Sequence, residues 1–223
     1  MELTTADVIV SQDGSGHFKT LKEAVAAAPN NSITRYVIYV KRGTYNEFVE
    51  IGKTKTSLTI VGDSLQETIL TGNMNHDRCR NIQLKGQAVA LRLSSDGAVF
   101  YRCHIDAYQD TLYAHKYQQF YMECQITGTV DFICGDATAV FQNFQIEARR
   151  PLVGQSNVIT AQSLNDTSEV TGFSFQRCNI TASLDFTPVK ATVKTFLGRI
   201  TVCNFLSKFL AILQITNEVN ANM

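Results

Sequence analysis

The stretch Phe100-Tyr101-Arg102-Cys103 decides the fold, because the chain repeats it. Tyr121-Met122-Glu123-Cys124 follows the same pattern 21 residues later, and Phe141–Phe144 follows after another 20. The pattern returns at Phe175–Cys178 after a longer step of 34 residues. Irregular repeats of this length, with short strands and no helices between them, are typical of a solenoid of stacked β-coils. The sequence therefore predicts an all-β chain in which each coil lies on the one before it.

Short runs rich in β-branched and aromatic residues, separated by Gly, Asn, Asp and Ser, predict the strands. They are Tyr36–Val40, Leu58–Val61, Ala88–Leu93, Val99–Tyr101, Val158–Ala161 and Phe173–Phe175. One helix is predicted, since Thr20 and Glu23 form a capping box before an Ala-rich segment that Pro29 ends. The alternative is a β-sandwich, whose hairpins should carry Asn-Gly or Asp-Gly turns. Asp96-Gly97 alone fits, which favours the solenoid.

Composition excludes several classes of protein. The 223 residues include 20 basic and 20 acidic side chains, so the net charge is zero. A nucleic-acid binder that works by releasing counterions is therefore not expected. No apolar run reaches the roughly 18 to 20 residues of a membrane span. The start, Met1–Asp7, has neither a basic nor an apolar segment, so no signal peptide is expected within this chain.

The six cysteines and four histidines do not predict a metal centre, because they show no CxxC pair and no zinc-ligand spacing. Cys103 and Cys124 are one repeat apart and could stack at disulfide distance. They could equally be two buried thiols that pack as small hydrophobic groups. The residues alone leave both alternatives open.

Polar residues recur in step with the coil. Gln87 and Gln109 are 22 residues apart, and Asp110 and Asp131 are 21 apart. The spacing predicts that Gln87, the Gln109-Asp110 pair and Asp131 lie on three successive coils in nearly one column. Two partly desolvated carboxylates one coil apart cannot both ionise freely, so one pKa should rise while the other stays low. Singly, each residue could instead be a solvated aspartate or part of a glutamine ladder.

The chain resembles the plant pectin methylesterases over residues 6 to 199. The motifs that carry the resemblance are Val10–Gly16, Gly43–Glu47, Gly86–Arg92, Tyr108–Tyr113, Gly128–Ile133 with Gly135, and Leu197-Gly198-Arg199. The resemblance implies a right-handed parallel β-helix of the pectin lyase-like type. It also implies hydrolysis of the methyl esters of polygalacturonate in pectin, which releases methanol and free carboxylates during cell-wall modification.

The resemblance also assigns roles to the polar column. Asp131 would be the nucleophile that forms a covalent acyl-enzyme, and Asp110 would be the acid that protonates methanol and then the base that activates water. Gln87 and Gln109 would donate to the oxyanion. Arg199 would hold Asp131 ionised through a charge-assisted hydrogen bond.

The remaining implications concern the substrate and the partners. Tyr108 and Phe132 would contact the sugar, or would simply pack beside the site. No metal and no organic cofactor is implied. The expected partners are pectin and an inhibitor protein, with no nucleic acid and no membrane, and the expected state is a monomer. The family is secreted to the cell wall.

Three departures from the family divide the chain into a partial catalytic domain, residues 6–199, and a divergent tail, residues 200–223. The segment between Asn75 and Gln87 is shorter than in the family by about one coil, so the flanking coils must re-pack or leave an edge open. Ile200-Thr201 follow Arg199 where the family has Pro-Trp. The family's last coils are absent, and the tail carries an apolar stripe that suits either a capping helix or unselected sequence.

Two alternatives to an active esterase follow. The chain could be an inactive relative that at most binds pectin or an inhibitor protein. It could also be a β-helical lyase, which would require an acidic cluster for calcium. The sequence shows no such cluster.

Overall fold

The computed structural model describes residues 5–72, 89–163, 171–201, 214–216 and 220–222. These residues form three sheets in which every strand pairing is parallel. Parallel neighbours cannot be joined by hairpins, so the β-sandwich alternative is wrong and the stacked-coil prediction is confirmed. Within the described ranges, no helix is long and apolar enough to cross a membrane.

Each complete coil gives one strand to each of the three sheets, and the first complete coil is β2-β3-β4. Sheet A contains β1 (Val8–Val10), β2 (Tyr36–Val40), β5 (Leu58–Gly62), β8 (Ala98–Tyr101), β11 (Gln118–Met122), β14 (Thr138–Gln142), β17 (Gly172–Gln176) and β20 (Gln214–Thr216). Sheet B contains β3 (Gly43–Asn46), β6 (Thr68–Thr71), β9 (His104–Asp106), β12 (Gln125–Gly128), β15 (Gln145–Ala148), β18 (Asn179–Ala182) and β21 (Asn220–Asn222). Sheet C contains β4 (Val49–Ile51), β7 (Leu91–Leu93), β10 (Leu112–Ala114), β13 (Ile133–Gly135), β16 (Asn157–Ser163) and β19 (Thr195–Thr201). A coil runs through sheets A, B and C in turn, and the third and fourth coils are β8-β9-β10 and β11-β12-β13.

The repeat seen in the sequence marks the turn from sheet A to sheet B. A residue with left-handed backbone precedes each repeat position, and these residues are Arg102, Glu123, Asn143 and Arg177, with φ of 49° to 55°. This conformation costs roughly 1 to 2 kcal/mol for a residue with a β-carbon. The coil needs it for the sharp corner, after which the next side chain points into the interior. That side chain is Cys103, Cys124, Phe144 or Cys178, and all four are buried.

The core is a column of stacked aromatic rings inside sheet A. Tyr121 and Phe141 stack with centroids 4.9 Å apart, and Phe141 stacks on Phe175 at 4.7 Å. Phe100 extends the column at 5.6 Å from Tyr121. These spacings match the separation of neighbouring strands, so each ring rests on its counterpart one coil away. The column fixes the register of the coils.

The predicted helix is α1, Leu21–Ala27. Both hydrogen bonds of the capping box are present: the amide of Glu23 donates to Thr20 Oγ1, and the amide of Thr20 donates to Glu23 Oε2. Glu47 accepts two further bonds from the free amides of the first turn. The helix buries one face of Leu21, Ala24 and Val25 against the first coil, where it covers the end of the stack.

The sheets continue directly across the shortened segment. β5 pairs with β8, β6 with β9 and β4 with β7, so the described coils meet in register. In these strands the re-packing alternative therefore holds, and the open-edge alternative does not. Gln87 and the apolar stripe of the tail lie outside the described residues. Beyond them, β20 and β21 extend sheets A and B from β17 and β18.

Cys103 and Cys124 are free thiols in this structure. The backbone amide of Cys103 donates to Cys124 Sγ at 3.4 Å. The hydrogen bond with Cys124 and burial both raise the pKa of the Cys103 thiol. The buried-thiol alternative therefore describes the structure.

Phe141→Ala should lower the free energy of unfolding by about 3 to 5 kcal/mol, because it removes a fully buried ring that stacks on both sides. Urea unfolding measures this value. Ile33→Ala is the control, since Ile33 is fully exposed and its loss should change stability by at most about 0.5 kcal/mol. Equal effects of the two substitutions would contradict the role given to the aromatic column.

Candidate active site

Asp110 and Asp131 occupy the same position in adjacent coils, at the turn from sheet B to sheet C. Each precedes a sheet C strand by two residues, and the first residues of those strands, Leu112 and Ile133, pair in register. The amide of Asp110 donates to the carbonyl of Val130 at 3.0 Å. Both aspartates have φ of 52°. The one-coil separation that the spacing predicts for these two residues is therefore present.

Arg199 lies two strands further along sheet C and reaches back to Asp131. Its Nε donates to Asp131 Oδ1 at 2.7 Å, and a terminal nitrogen donates to Oδ2. Ala161 pairs with Arg199 on one side and with Cys134 on the other, so a small residue occupies the strand that the guanidinium must cross. Asp131 is buried and Arg199 is half-exposed. The paired cation compensates the burial of the Asp131 carboxylate.

Two motif glycines permit close packing beside the aspartates. A β-carbon at Gly128 would overlap the side chain of Phe132, and a β-carbon at Gly198 would overlap Thr160 Oγ1. Gly198 therefore lets the strand that carries Arg199 approach its neighbour. Gly128 leaves room for the ring that follows Asp131.

The environment of Asp110 raises its pKa from 3.8 to about 6. Burial is the main cause, and the negative charge of Asp131 adds to it. A hydrogen bond from Gln109 and the positive charge of Arg199 act in the opposite direction. Near neutral pH, both the protonated and the ionised form of this carboxyl are therefore accessible.

The predicted sugar contacts differ from each other. Phe132 is completely buried in the core, so the expectation that it contacts a sugar is corrected in favour of packing. The turn at Asp131 directs the next ring inward, over Gly128. Tyr108 is 39% exposed, which leaves part of its ring accessible beside Gln109. Gln87, the other predicted oxyanion donor, lies outside the described residues.

Arg149 clamps the segment that leads to Gln109 and Asp110. Its guanidinium donates to Asp106 Oδ1 at 2.8 Å and to the carbonyl of Ala107 at 3.1 Å, and it lies 4.1 Å from the ring centre of Tyr108. Its own amide donates to the carbonyl of Gly128 at 2.8 Å. One side chain thus ties the fifth coil to the turn of the third.

Sequence reasoning missed Arg149 and two neighbours of the carboxylates, Tyr113 and Cys134. These two follow Asp110 and Asp131 by three residues each and pair with each other in sheet C. Burial raises the pKa of the Cys134 thiol, and the charges of Asp110 and Asp131 raise it further, so the thiol is neutral. The shared spacing of three residues after each aspartate was the signal that could have identified them.

Within the described ranges, no group of three or more His, Cys, Asp and Glu side chains is placed to hold a metal ion. The arrangement is a buried carboxylate held by arginine next to a second carboxyl of raised pKa. This pairing suits nucleophilic attack with proton transfer.

The pectinesterase family model matches residues 7–84 and 80–205. This chain belongs to the pectinesterase family. Its members are carboxylic ester hydrolases. The two matches meet where the sequence is shortened, which agrees with the loss of an internal segment.

Relatives and solved structures support the assignment. The chain is 54% identical over 219 residues to "Probable pectinesterase 56" of Arabidopsis thaliana, covering 87% of this chain and 76% of the relative. It is 51% identical to "Pectinesterase/pectinesterase inhibitor 18" of the same plant, where the match covers 87% of this chain and 40% of the relative. The pectin methylesterase from carrot is similar in structure, with a TM-score of 0.76 and 41% identity over 91% of this chain and 71% of that one. The parallel β-helix of the pectin methylesterases is thus the fold of this chain.

Asp110→Asn should raise the free energy of unfolding above pH 6 by up to about 3 kcal/mol, because a shift from 3.8 to about 6 penalises the buried charge by that amount. The folded state binds this proton more tightly than the unfolded state. The penalty is therefore absent below about pH 4 and grows as the pH rises to about 6. Urea unfolding of both proteins from pH 4 to 8 measures the difference.

Asp13 supplies a control of opposite sign. Hydrogen bonds from Ser11 and Ser15 lower the pKa of its carboxyl, so its charge stabilises the folded state above the unfolded pKa. Asp13→Asn should therefore lower stability at neutral pH and lose its effect in acid. A pH-independent effect of Asp110→Asn would show that burial does not penalise its charge.

Proposed function

We propose that this chain hydrolyses the methyl esters of galacturonate in pectin and releases methanol and free carboxylates. The observation that carries the proposal is the pair formed by Asp131, held by Arg199, and Asp110, whose pKa is raised to about 6. One solved relative is a pectin methylesterase in complex with a hexasaccharide, with a TM-score of 0.65 and 26% identity over 89% of this chain and 71% of that one.

The first half of the proposed reaction forms an acyl-enzyme. A carboxylate oxygen of Asp131 attacks the ester carbonyl carbon, and the carbonyl electrons move to the oxygen. Each oxygen of Asp131 has a second lone pair besides the one that accepts from Arg199. The bond from carbon to methoxy oxygen then breaks, and protonated Asp110 gives its proton to that oxygen. The products are methanol and an anhydride that joins the substrate to Asp131.

In the second half of the reaction, Asp110 acts as the base and Asp131 is the leaving group. Asp110, now ionised, takes a proton from water while the water oxygen attacks the substrate carbonyl. The bond to Asp131 breaks, which frees the galacturonate acid and restores the Asp131 carboxylate. A pKa near 6 suits Asp110 for both roles, since neither protonation state is rare near that pH.

The amides stabilise the tetrahedral oxyanion in this proposal. The side chain of Gln109 is half-buried and lies next to Asp110, within reach of the same substrate group. The resemblance gives Gln87 the role of second donor, and it precedes Gln109 by 22 residues, about one coil. Preorganised donors of this kind favour the charge that develops in the transition state over the neutral ester.

The proposal also includes the setting of the enzyme. The substrate is part of the plant cell wall, so the protein would act there, as a monomer and under control of an inhibitor protein. The partial catalytic domain would end at residue 199, with residues 200–223 as a divergent tail.

An inactive relative that binds pectin is the second candidate. It is favoured by the shortened segment before Gln87 and by Thr201, which stands where the resemblance expects a cleft tryptophan. The two candidates differ in methanol release, whereas both allow pectin binding.

Asp131→Asn should lower methanol release from highly methylated pectin by about 10³-fold or more, because the amide is a much poorer nucleophile. An enzymatic methanol assay on the purified chain measures the rate, and circular dichroism checks the fold. Asp63→Asn is the matched control, since Asp63 lies at a turn from sheet A to sheet B. If wild type releases no methanol but still binds pectin, the second candidate replaces the first.

Arg149→Met should lower kcat about 10- to 100-fold with a much smaller change in KM. The reason is that a small displacement of the turn that carries Gln109 and Asp110 slows the chemical step more than it weakens substrate binding. Arg102→Met is the control, since Arg102 makes a similar ion pair and ring contact at another turn. Methanol release at several pectin concentrations gives both constants. Equal losses of kcat in the two variants would mean that Arg149 contributes to the fold alone.

A further inference from the structure

The outward face of sheet C carries a charged column beside the two aspartates. Successive in-register positions are Glu50, Arg92, Tyr113, Cys134, Ala161 and Arg199. Arg199, at one end, is bound to Asp131. Arg92 lies on the other side of the carboxylate pair, one strand from Tyr113 and two from Cys134. Because neighbouring strands are about 4.8 Å apart, Arg92 is roughly 10 Å from the strand of the nucleophile.

We propose that Arg92 is a subsite for a free galacturonate carboxylate next to the ester being hydrolysed, and that Glu50 fills this subsite when substrate is absent. The inference rests on the proposed esterase function and adds a specificity determinant to it. Pectin carries both methyl esters and free carboxylates, and only the carboxylate offers a negative charge to a guanidinium.

The contacts of Arg92 fit such a subsite. Its guanidinium lies 5.4 Å from the ring centre of Tyr113. The charge of Asp110 also acts on Tyr113 and helps to raise the pKa of its hydroxyl. One of its five N–H donors binds Glu50 Oε1 at 2.5 Å. Its Nε is buried and has no hydrogen-bond partner among the residues that the structure describes, so an incoming carboxylate would meet the N–H donors of the terminal nitrogens. Arginine binds carboxylates best through two parallel N–H donors, and donors remain for that purpose.

Glu50 is exposed enough for a substrate carboxylate to displace it from Arg92. Its side chain is 50% exposed, and that of Arg92 is 34% exposed. An ion pair this accessible contributes about 0 to 1 kcal/mol, so a substrate carboxylate that arrives on a polymer can replace it. The side chain of Glu50 then turns into solvent, and the net charge at the subsite stays balanced.

The pairing of Glu50 with Arg92 follows from the shortened segment. β4 and β7 are direct neighbours, which sets these two residues opposite each other. The sequence lacks about one coil between them, and an additional coil would separate the two strands. The pairing of Arg92 with a displaceable Glu50 is therefore a feature of this chain rather than of a stack with the additional coil.

Two substitutions should change substrate preference in opposite directions. The readout is kcat/KM per ester on partly de-esterified pectin, divided by its value on fully methylated pectin. Arg92→Met should lower this ratio about tenfold, because the charged contact is lost. Glu50→Gln should raise it about two- to threefold, since Arg92 loses its competitor. Arg92→Lys keeps the charge and should retain part of the ratio.

Matched controls come from a similar trio at a turn from sheet A to sheet B. Arg102 pairs with Glu123 at 3.1 Å and lies 4.9 Å from the ring centre of Tyr101. Arg102→Met and Glu123→Gln should leave the ratio unchanged. An unchanged ratio in Arg92→Met, or shifts in the same direction in Arg92→Met and Glu50→Gln, would overturn the proposal.

A binding measurement separates this inference from the proposed function. Titration calorimetry with a fully de-esterified oligogalacturonate should show about tenfold weaker binding to Arg92→Met, and tighter binding to Glu50→Gln, with both effects reduced at high salt. If these shifts occur without methanol release by wild type, the subsite stands and the esterase proposal fails. If methanol is released but neither binding nor the ratio responds, the subsite is refuted and the esterase stands.

Discussion

The in-register parallel ladder between coils is the constraint on which the rest of the structure depends. It places Leu112 opposite Ile133, and thereby sets Asp110 beside Asp131 at the preceding turns. Because side chains alternate between the two faces of a strand, a slip of one residue would turn the outward residues inward. The stacked rings of Tyr121 and Phe141 oppose such a slip, since it would separate two rings whose centres lie 4.9 Å apart. The geometry of the site is thus a consequence of core packing on another side of the coil.

The same ladder produces the electrostatic asymmetry of the carboxylates. Both aspartates come from equivalent turns, but Arg199 reaches Asp131 alone with two donors, across the small Ala161. Asp110 retains the cost of burial and the repulsion of its neighbour, which raise its pKa to about 6. One residue type therefore supplies two chemical characters, and the difference arises from which coil carries the arginine.

Local signals in the sequence were sufficient for the repeat, the capped helix and the separation of Asp110 from Asp131, because each depends on spacing along the chain. The direction of a side chain after a left-handed turn is not encoded in spacing. The sequence therefore left open whether Phe132 contacts the sugar or packs, and the structure places it in the core. Arg149 was missed for a different reason. Its contacts join the fifth coil to the third, and sequence gives no indication of which turn a long side chain will reach.

The shortened segment shows how a solenoid tolerates change. Each coil contacts its nearest neighbours, so removal of a whole coil costs one set of contacts and preserves the register of the others. β4 then pairs directly with β7, in place of the strand that an additional coil would insert between them. The turns that carry Asp110 and Asp131 remain adjacent in the third and fourth coils, and Arg199 reaches Asp131 from the sixth. What changes is the surface on the other side, where Glu50 now faces Arg92. Under the two proposals, the loss of one repeat would alter the residues that face the substrate while it leaves Asp110, Asp131 and Arg199 together.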